Sequence, residues 1–172
     1  MRATPSSPNR STLGTPREPI RLIGRPGAIR VASTRTRRDV TAELHDVSVR
    51  RAAALASQDL DGFVLKKDSP SCGLHRVRVY KDDGTATRDG RGVFASALTS
   101  AMPLLPVEEE GRLVDPGIRE HFIERVFAHQ RLRELGEPQG VHALMRFHTR
   151  HKLLLLAHSP AIYKAMGSLV AI

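Results

Sequence analysis

The sequence predicts an α/β fold, a small partly parallel sheet with flanking helices, followed by an incomplete all-helical module. Between residues 18 and 65 the pattern runs strand, helix, strand, which is the order found in an α/β sheet. A tight loop follows the last of these strands, and open α/β sheets bind ligands at that end of a strand. From Asp115 onward, the apolar residues recur at helical spacing.

The first part of the chain contains short strands separated by two helices. Apolar patterning predicts strands over residues 18–24, 28–33, 62–65, 77–80 and 104–107. Helices are predicted over 39–57, where Asp39 can cap the first turn, and over 92–101. Residues 85–90 are interpreted as a polar loop. The run Glu108–Glu110 is interpreted as the solvated start of a linker, because three successive side chains fan out.

The pattern of the remaining residues predicts three helices. Asp115 directly before Pro116 is a strong start signal for a helix that runs to about Leu135. After a break at 136–140, a second helix is predicted over 141–157, and Ser159-Pro160 begins a third. The second helix carries His148, His151 and His158, which are expected to be partly exposed on a basic surface.

Composition narrows the class of protein. A single cysteine excludes an internal disulfide framework and suits a reducing compartment, so a cytoplasmic protein is predicted. No apolar run reaches the roughly 18 residues of a membrane span, and residues 1–12 are predicted to be disordered. The net charge of +9 favours polyanionic partners such as nucleic acid.

The stretch from Asp61 to Asp83 holds the residues with the clearest chemical role. Its loop, Ser69–Gly73, carries the only cysteine, Cys72, near Lys66, Lys67 and Arg76. Positive charge favours thiolate over thiol, and functional residues concentrate on loops held by a rigid scaffold. The alternative is that Cys72 is a small buried apolar residue, which is the commoner use of a lone cysteine.

Three motifs in order carry a resemblance to a known family. The segment 62–66 with Ser69–Gly73, the upstream segment 13–19 and the downstream segment 90–94 together resemble the thiouracil desulfidase (TudS-like) family. Later segments, 122–127 and 147–159, resemble the start of the YbgA family. The resemblance implies a desulfidase-like α/β domain over 13–112 and the start of a YbgA-like helical domain over 113–172.

The resemblance also implies an activity and a cofactor. It implies an enzyme that removes sulfur from thiolated uracil, including 4-thiouridine in tRNA. It also implies a [4Fe-4S] cluster that is held by three cysteine thiolates. Cys72 matches the last of these metal-binding cysteines, and Ser69 and Ser71 match hydroxyls of the catalytic loop. RNA contacts are assigned to four basic residues, Lys66, Arg146, Arg150 and Lys152.

The chain also departs from the family pattern. Ser6-Ser7-Pro8 stands where a Cys-Pro-Glu segment is expected, and no earlier cysteine segment is present. One thiolate cannot hold a cubane cluster. The prediction is therefore an inactive or N-terminally truncated member that assembles no cluster. Two alternatives stay open: a non-catalytic RNA-binding or protein-interaction module, and a thiol-dependent enzyme in which His75 is the nearest candidate base.

Overall fold

The computed structural model describes residues 18–25, 27–135 and 140–170. The predicted disordered segment 1–12, the first part of the 13–19 motif and most of the predicted break at 136–140 lie outside the described residues. The chain divides into two compact units after Phe122. All strands of the described residues lie in the first unit.

Six strands and six helices are found among the described residues. The strands are β1 (Ile20–Arg25), β2 (Ala28–Ser33), β3 (Phe63–Leu65), β4 (Val77–Tyr80), β5 (Ala86–Gly90) and β6 (Val107–Glu109). The helices are α1 (Thr41–Ala56), α2 (Val93–Ala101), α3 (Pro116–Arg133), α4 (Gly140–Arg150), α5 (Lys152–His158) and α6 (Pro160–Val170). A partly parallel sheet with flanking helices and a helical C-terminal part confirms the predicted fold class.

The larger sheet has four strands in the order β2-β1-β4-β5. β1 and β2 form an antiparallel hairpin in register from Ile20 opposite Ser33, and β1 pairs in parallel with β4. The interpretation of residues 85–90 as a polar loop is wrong, because residues Ala86–Gly90 form β5. Their polar composition hides a strand that pairs antiparallel with β4 and completes this sheet.

The smaller sheet pairs β3 and β6 in parallel, from Phe63 opposite Val107 to Leu65 opposite Glu109. The strand predicted at 104–107 therefore lies about three residues later in the chain, and the acidic run is part of it. β3 and β4 belong to different sheets, so the segment between them is a crossing from one sheet to the other.

Two apolar clusters form the core of the first unit. One joins the larger sheet to the start of α1 and consists of Leu22, Val31, Val40, Val77 and Val79. The other lies between α1, α2 and the smaller sheet and consists of Leu55, Leu65, Leu74, Ala95, Leu98, Leu105 and Val107. The second cluster fixes β3 and β6 relative to α2, and all three border the loop that follows β3.

Helix boundaries in the C-terminal part follow the predicted caps. The Asp115 carboxylate accepts a hydrogen bond from the Ile118 N–H at 3.0 Å, and the Ser159 hydroxyl accepts one from the Ile162 N–H at 3.2 Å. The helix predicted over 141–157 is wrong as a single element, because it breaks at His151 into α4 and α5.

Two of the three histidines on this segment are buried, which corrects the expectation that they are partly exposed. The His148 ring stacks on Tyr163 at 4.8 Å, and His151 Nδ1 lies 2.8 Å from the Phe147 carbonyl oxygen. His158 is exposed, as expected. His148 therefore packs α4 against α6, whereas His151 packs against the last turns of α4 itself. Within the described ranges, no helix has both the length and the apolar character needed to cross a membrane.

Candidate functional site

The loop Ser69–Gly73 is a compact turn held by its own hydrogen bonds. The Gly73 N–H donates to the Ser69 carbonyl at 2.8 Å. The Ser69 hydroxyl oxygen accepts from the backbone N–H of Ser71 at 3.3 Å and from that of Cys72 at 3.1 Å. Ser69 thus builds the loop, and its O–H hydrogen stays available to a ligand because the oxygen acts as the acceptor.

The amino-terminal end of α2 sits on this loop. The N–H groups of Val93 and Phe94 donate to the carbonyls of Pro70 and Ser71, at 3.2 and 2.9 Å. The first N–H groups of a helix have no partner within the helix, so the loop carbonyls satisfy them. The motifs at 69–73 and 90–94, widely separated in sequence, are therefore parts of one structure.

Gly92 is required for this contact. Its N–H donates to the Gly73 carbonyl at 2.7 Å, and a Cβ placed on Gly92 would lie 2.3 Å from the Ser71 carbonyl oxygen. Such a distance is far inside van der Waals contact, and the atoms in the way are backbone. Gly73 has a related role: its φ is not positive, so glycine is needed there for space, because an added Cβ would lie 2.3 Å from Val77 Cγ2 and 2.8 Å from the Ser69 carbonyl oxygen.

A buried carboxylate holds the exit of the loop. Glu109 is 1% exposed, and its Oε1 accepts hydrogen bonds from the Leu74 N–H at 2.7 Å and the His75 N–H at 3.2 Å. On the entry side, Glu110 Oε2 accepts from the Lys67 N–H at 2.6 Å. The interpretation of Glu108–Glu110 as a solvated linker is wrong, because parallel pairing with β3 brings these carboxylates to both ends of the loop.

Glu108 is also buried, and its charge is supported by neighbours. Burial raises its pKa, but hydrogen bonds from the Glu109 N–H and the Arg112 guanidinium, together with the charges of Arg112 and His75, lower the pKa below its ordinary value. The Glu108–Arg112 distance is 2.8 Å. Glu108 is therefore a carboxylate at neutral pH and anchors the turn that follows β6.

This lowered pKa predicts a pH dependence of stability. The contribution of Glu108 is present above the ordinary value of 4.5 and is lost as the pH falls through the lower folded-state value. We expect the urea midpoint of the wild type to fall more steeply than that of Glu108→Gln between about pH 6 and pH 3. Parallel curves for the two proteins would contradict this role.

Cys72 lies between these supports. Its thiol is free and half-buried, and the side chain packs against the cluster that contains Leu65, Leu74 and Leu98. The loop begins beyond the carboxyl end of β3, in the smaller, parallel sheet. The arrangement holds one thiol, and the hydroxyls of Ser69 and Ser71, on a backbone that is fixed at three points.

The structure brings together only some of the residues predicted for function. Ser69, Ser71 and Cys72 share one loop, whereas Lys66 is exposed just after β3 and His75 is exposed just beyond the loop. No hydrogen bond joins the His75 imidazole to the thiol among the described residues. The catalytic and metal-binding roles of these residues stay predictions.

The predicted RNA contacts in the second unit fall on two helices. Arg146 and Arg150 are exposed one turn apart on α4. Together with His142, Met145 and Thr149 they line an open pocket of about 520 Å³. Lys152 is exposed at the start of α5. Sequence reasoning missed Glu109 and Gly92 as supports of the Cys72 loop. Gly92 could be noticed only as part of a motif, and no local signal marks Glu109.

Comparison with known proteins gives two matches. A family model described as 2-thiouracil desulfurase matches residues 3–110. A solved structure described as the [4Fe-4S]-dependent thiouracil desulfidase TudS is 26% identical, with a TM-score of 0.47 over 64% of this chain and 68% of that chain. No curated protein matches the chain in sequence. The family match ends before α3, so the resemblance of the helical part to the YbgA family stays a prediction.

Proposed function

The chain belongs to the 2-thiouracil desulfurase family, and from this premise we propose that it binds thiolated uracil compounds, with 4-thiouridine in tRNA as the macromolecular substrate. The proposed contact is the Cys72 loop, where the sulfur of the thiolated ring would lie beside the thiol. The three sequence motifs and the family model indicate the same family. What we propose beyond the family is that the thiolated uracil is part of a tRNA.

The observation that carries this proposal is the construction of the Cys72 loop. Glu109 supports one side of the loop and the start of α2 supports another, so Cys72 and the two serine hydroxyls are held without a ligand. A site that is already ordered loses less conformational entropy on binding. Ser69 can donate its hydroxyl hydrogen to a carbonyl or thiocarbonyl of the ring, since its oxygen already accepts two backbone N–H groups.

The cluster that the resemblance implies does not fit the residues of this chain. Iron–sulfur clusters of the [4Fe-4S] type are held by cysteine thiolates, three or four to each cluster, and this sequence contains one cysteine. The thiol of Cys72 also packs against apolar side chains. We therefore propose that this chain alone does not assemble the cluster, and that desulfuration needs thiolate ligands that residues 1–172 do not supply.

A second candidate function is binding without catalysis, as an RNA-binding module. It is favoured by the same single cysteine together with the net charge of +9, because charge attraction to phosphates needs no cluster. Both candidate functions have RNA as the partner. They differ in whether Cys72 contacts the sulfur of a thiolated uracil.

Alkylation of Cys72 tests the proposal, since no other cysteine contributes to the signal. We expect tRNA containing 4-thiouridine to slow the reaction of the thiol with iodoacetamide severalfold, measured by mass spectrometry with the reagent in large excess, because iodoacetamide also alkylates 4-thiouridine. The same tRNA without the sulfur is the matched control and should slow it little. Equal protection by both tRNAs would favour the second candidate, and no binding of either would contradict both.

Anaerobic reconstitution with iron and sulfide tests the statement about the cluster. We expect far fewer than four irons for each chain and no loss of the near-ultraviolet absorbance of the thiocarbonyl. A brown protein with a full complement of iron, which removes that absorbance from 4-thiouridine, would show that the chain is a complete enzyme.

A further inference from the structure

The face of the larger sheet that points away from the core carries a group of basic side chains. Residues along a strand alternate between the two faces of a sheet. Leu22, Val77 and Val79 point into the apolar cluster, so their neighbours Arg21, Arg78 and Tyr80 lie on the opposite face. We call this the outer face.

Two of these side chains, Arg21 and Tyr80, are in contact with each other. The Arg21 guanidinium carbon lies 5.3 Å from the centre of the Tyr80 ring, and Arg21 Nη2 donates to the Thr34 carbonyl at 3.1 Å. Arg21 Nε is buried and has no hydrogen-bond partner among the residues described. A buried donor without an acceptor is unusual in a folded protein.

Arg78 adds a second positive charge that no carboxylate neutralises within the described part of the chain. It is exposed and lies two residues from Tyr80 on the same face of β4. The nearby carboxylate of Asp68 lies 3.6 Å from Arg88 and is paired with it. The outer face therefore has a local excess of positive charge.

These side chains line a cavity of about 390 Å³ that also borders the Cys72 loop. The cavity is lined by three groups of residues: Arg21, Thr34, Arg78 and Tyr80; the apolar residues Ile20, Leu22 and Val77; and, on the side of the loop, Asp68 and Pro70. Pro70 belongs to Ser69–Gly73, so the cavity and the thiol share one rigid segment. We call this space the Arg21 cavity.

A nucleotide unit of RNA has the chemistry that the Arg21 cavity would recognise. Guanidinium groups bind phosphate through paired N–H donors, and bases and riboses in single strands pack on aromatic rings and guanidinium planes. We infer that the Arg21 cavity binds one nucleotide of a single-stranded RNA segment, with the phosphate on Arg21 and Arg78 and the ring system against Tyr80. The inference rests on the proposed function and adds a site for the nucleotide next to the thiolated one.

The test uses the full chain and a short fluorescein-labelled oligouridine that contains no sulfur. Binding is followed by fluorescence anisotropy at several salt concentrations. We expect Arg78→Gln to weaken binding about tenfold and to reduce the slope of log K against log salt by about 0.7. The Arg78 side chain is exposed on β4, so this variant should fold like the wild type.

The matched control is Arg51→Gln, which removes the same charge from the exposed surface of α1, away from the cavity. It should change the affinity far less than Arg78→Gln. Tyr80→Leu should also weaken binding, whereas Tyr80→Phe, which keeps the ring, should not. Equal effects of Arg78→Gln and Arg51→Gln, or no binding of the oligouridine by the wild type, would overturn the inference.

The result is separable from the test of the proposed function, because the oligouridine has no sulfur and the readout does not involve Cys72. If the cavity variants lose RNA while thiolated tRNA gives no specific protection of Cys72, the inference stands and the proposed substrate fails. If the protection is specific and the cavity variants bind RNA normally, the reverse holds.

Discussion

Replacing Glu109 by alanine is expected to lower the free energy of unfolding of the first unit by about 2–5 kcal/mol. The carboxylate is buried and accepts two backbone hydrogen bonds, from Leu74 and His75. Without it, both N–H groups lose their acceptor: the buried Leu74 N–H costs about 1–3 kcal/mol when it is unsatisfied, and the part-buried His75 N–H loses a second bond. The free energy of unfolding of a typical domain is only about 5–15 kcal/mol, so this loss is large.

Urea denaturation measures the effect, and hydrogen exchange at Leu74 and His75 locates it. Glu109→Gln should lose much less, because its amide oxygen can still accept both bonds, although without the extra strength that a charge provides. Glu110→Ala is the second control: it removes one bond on an exposed carboxylate. If Glu109→Ala and Glu110→Ala were equally stable, the support of the loop by Glu109 would be refuted.

Replacing Gly92 by alanine is expected to destabilise the same loop from its other side, by about 1–3 kcal/mol or more. The new Cβ would lie 2.3 Å from the Ser71 carbonyl oxygen and 2.8 Å from the Cys72 backbone nitrogen. Neither atom belongs to a flexible side chain, so the loop or α2 must move. We therefore expect faster alkylation of Cys72 in this variant as well as a lower urea midpoint.

Gly117→Ala is the matched control for that substitution. Gly117 lies in the first turn of α3, and its nearest contact for an added Cβ is the Asp115 carboxylate at 3.4 Å, an ordinary distance. Alanine is favoured over glycine in a helix by about 1 kcal/mol, so this variant should be unchanged or more stable. A Gly92→Ala protein that behaves like Gly117→Ala would show that α2 does not need the close approach.

Elements that depend on local signals were predictable from the sequence. The hairpin of β1 and β2 follows from alternating apolar residues, and α3 and α6 begin at the caps that Asp115 and Ser159 provide. Each of these signals acts within a few residues, so the sequence carries it directly. The residues of the Cys72 loop were predictable for the same reason, because Ser69–Gly73 is a contiguous motif.

Elements that depend on distant partners were not predictable. β5 is polar and is a strand only because it pairs with β4, and β6 includes two glutamates because it lies beside β3. In each case tertiary contacts outweigh the local preference of the residues.

The sequence by itself determined the family, the α/β class and the residues of the loop that bears the thiol, since short motifs and apolar periodicity are local properties. Only the tertiary structure decided how that loop is held, by Glu109 from thirty-five residues away and by the close approach of Gly92. It also placed Arg21 beside Tyr80. Hydrogen bonds and steric contacts depend on distances in space, and these are set when β3, β6 and α2 pack together.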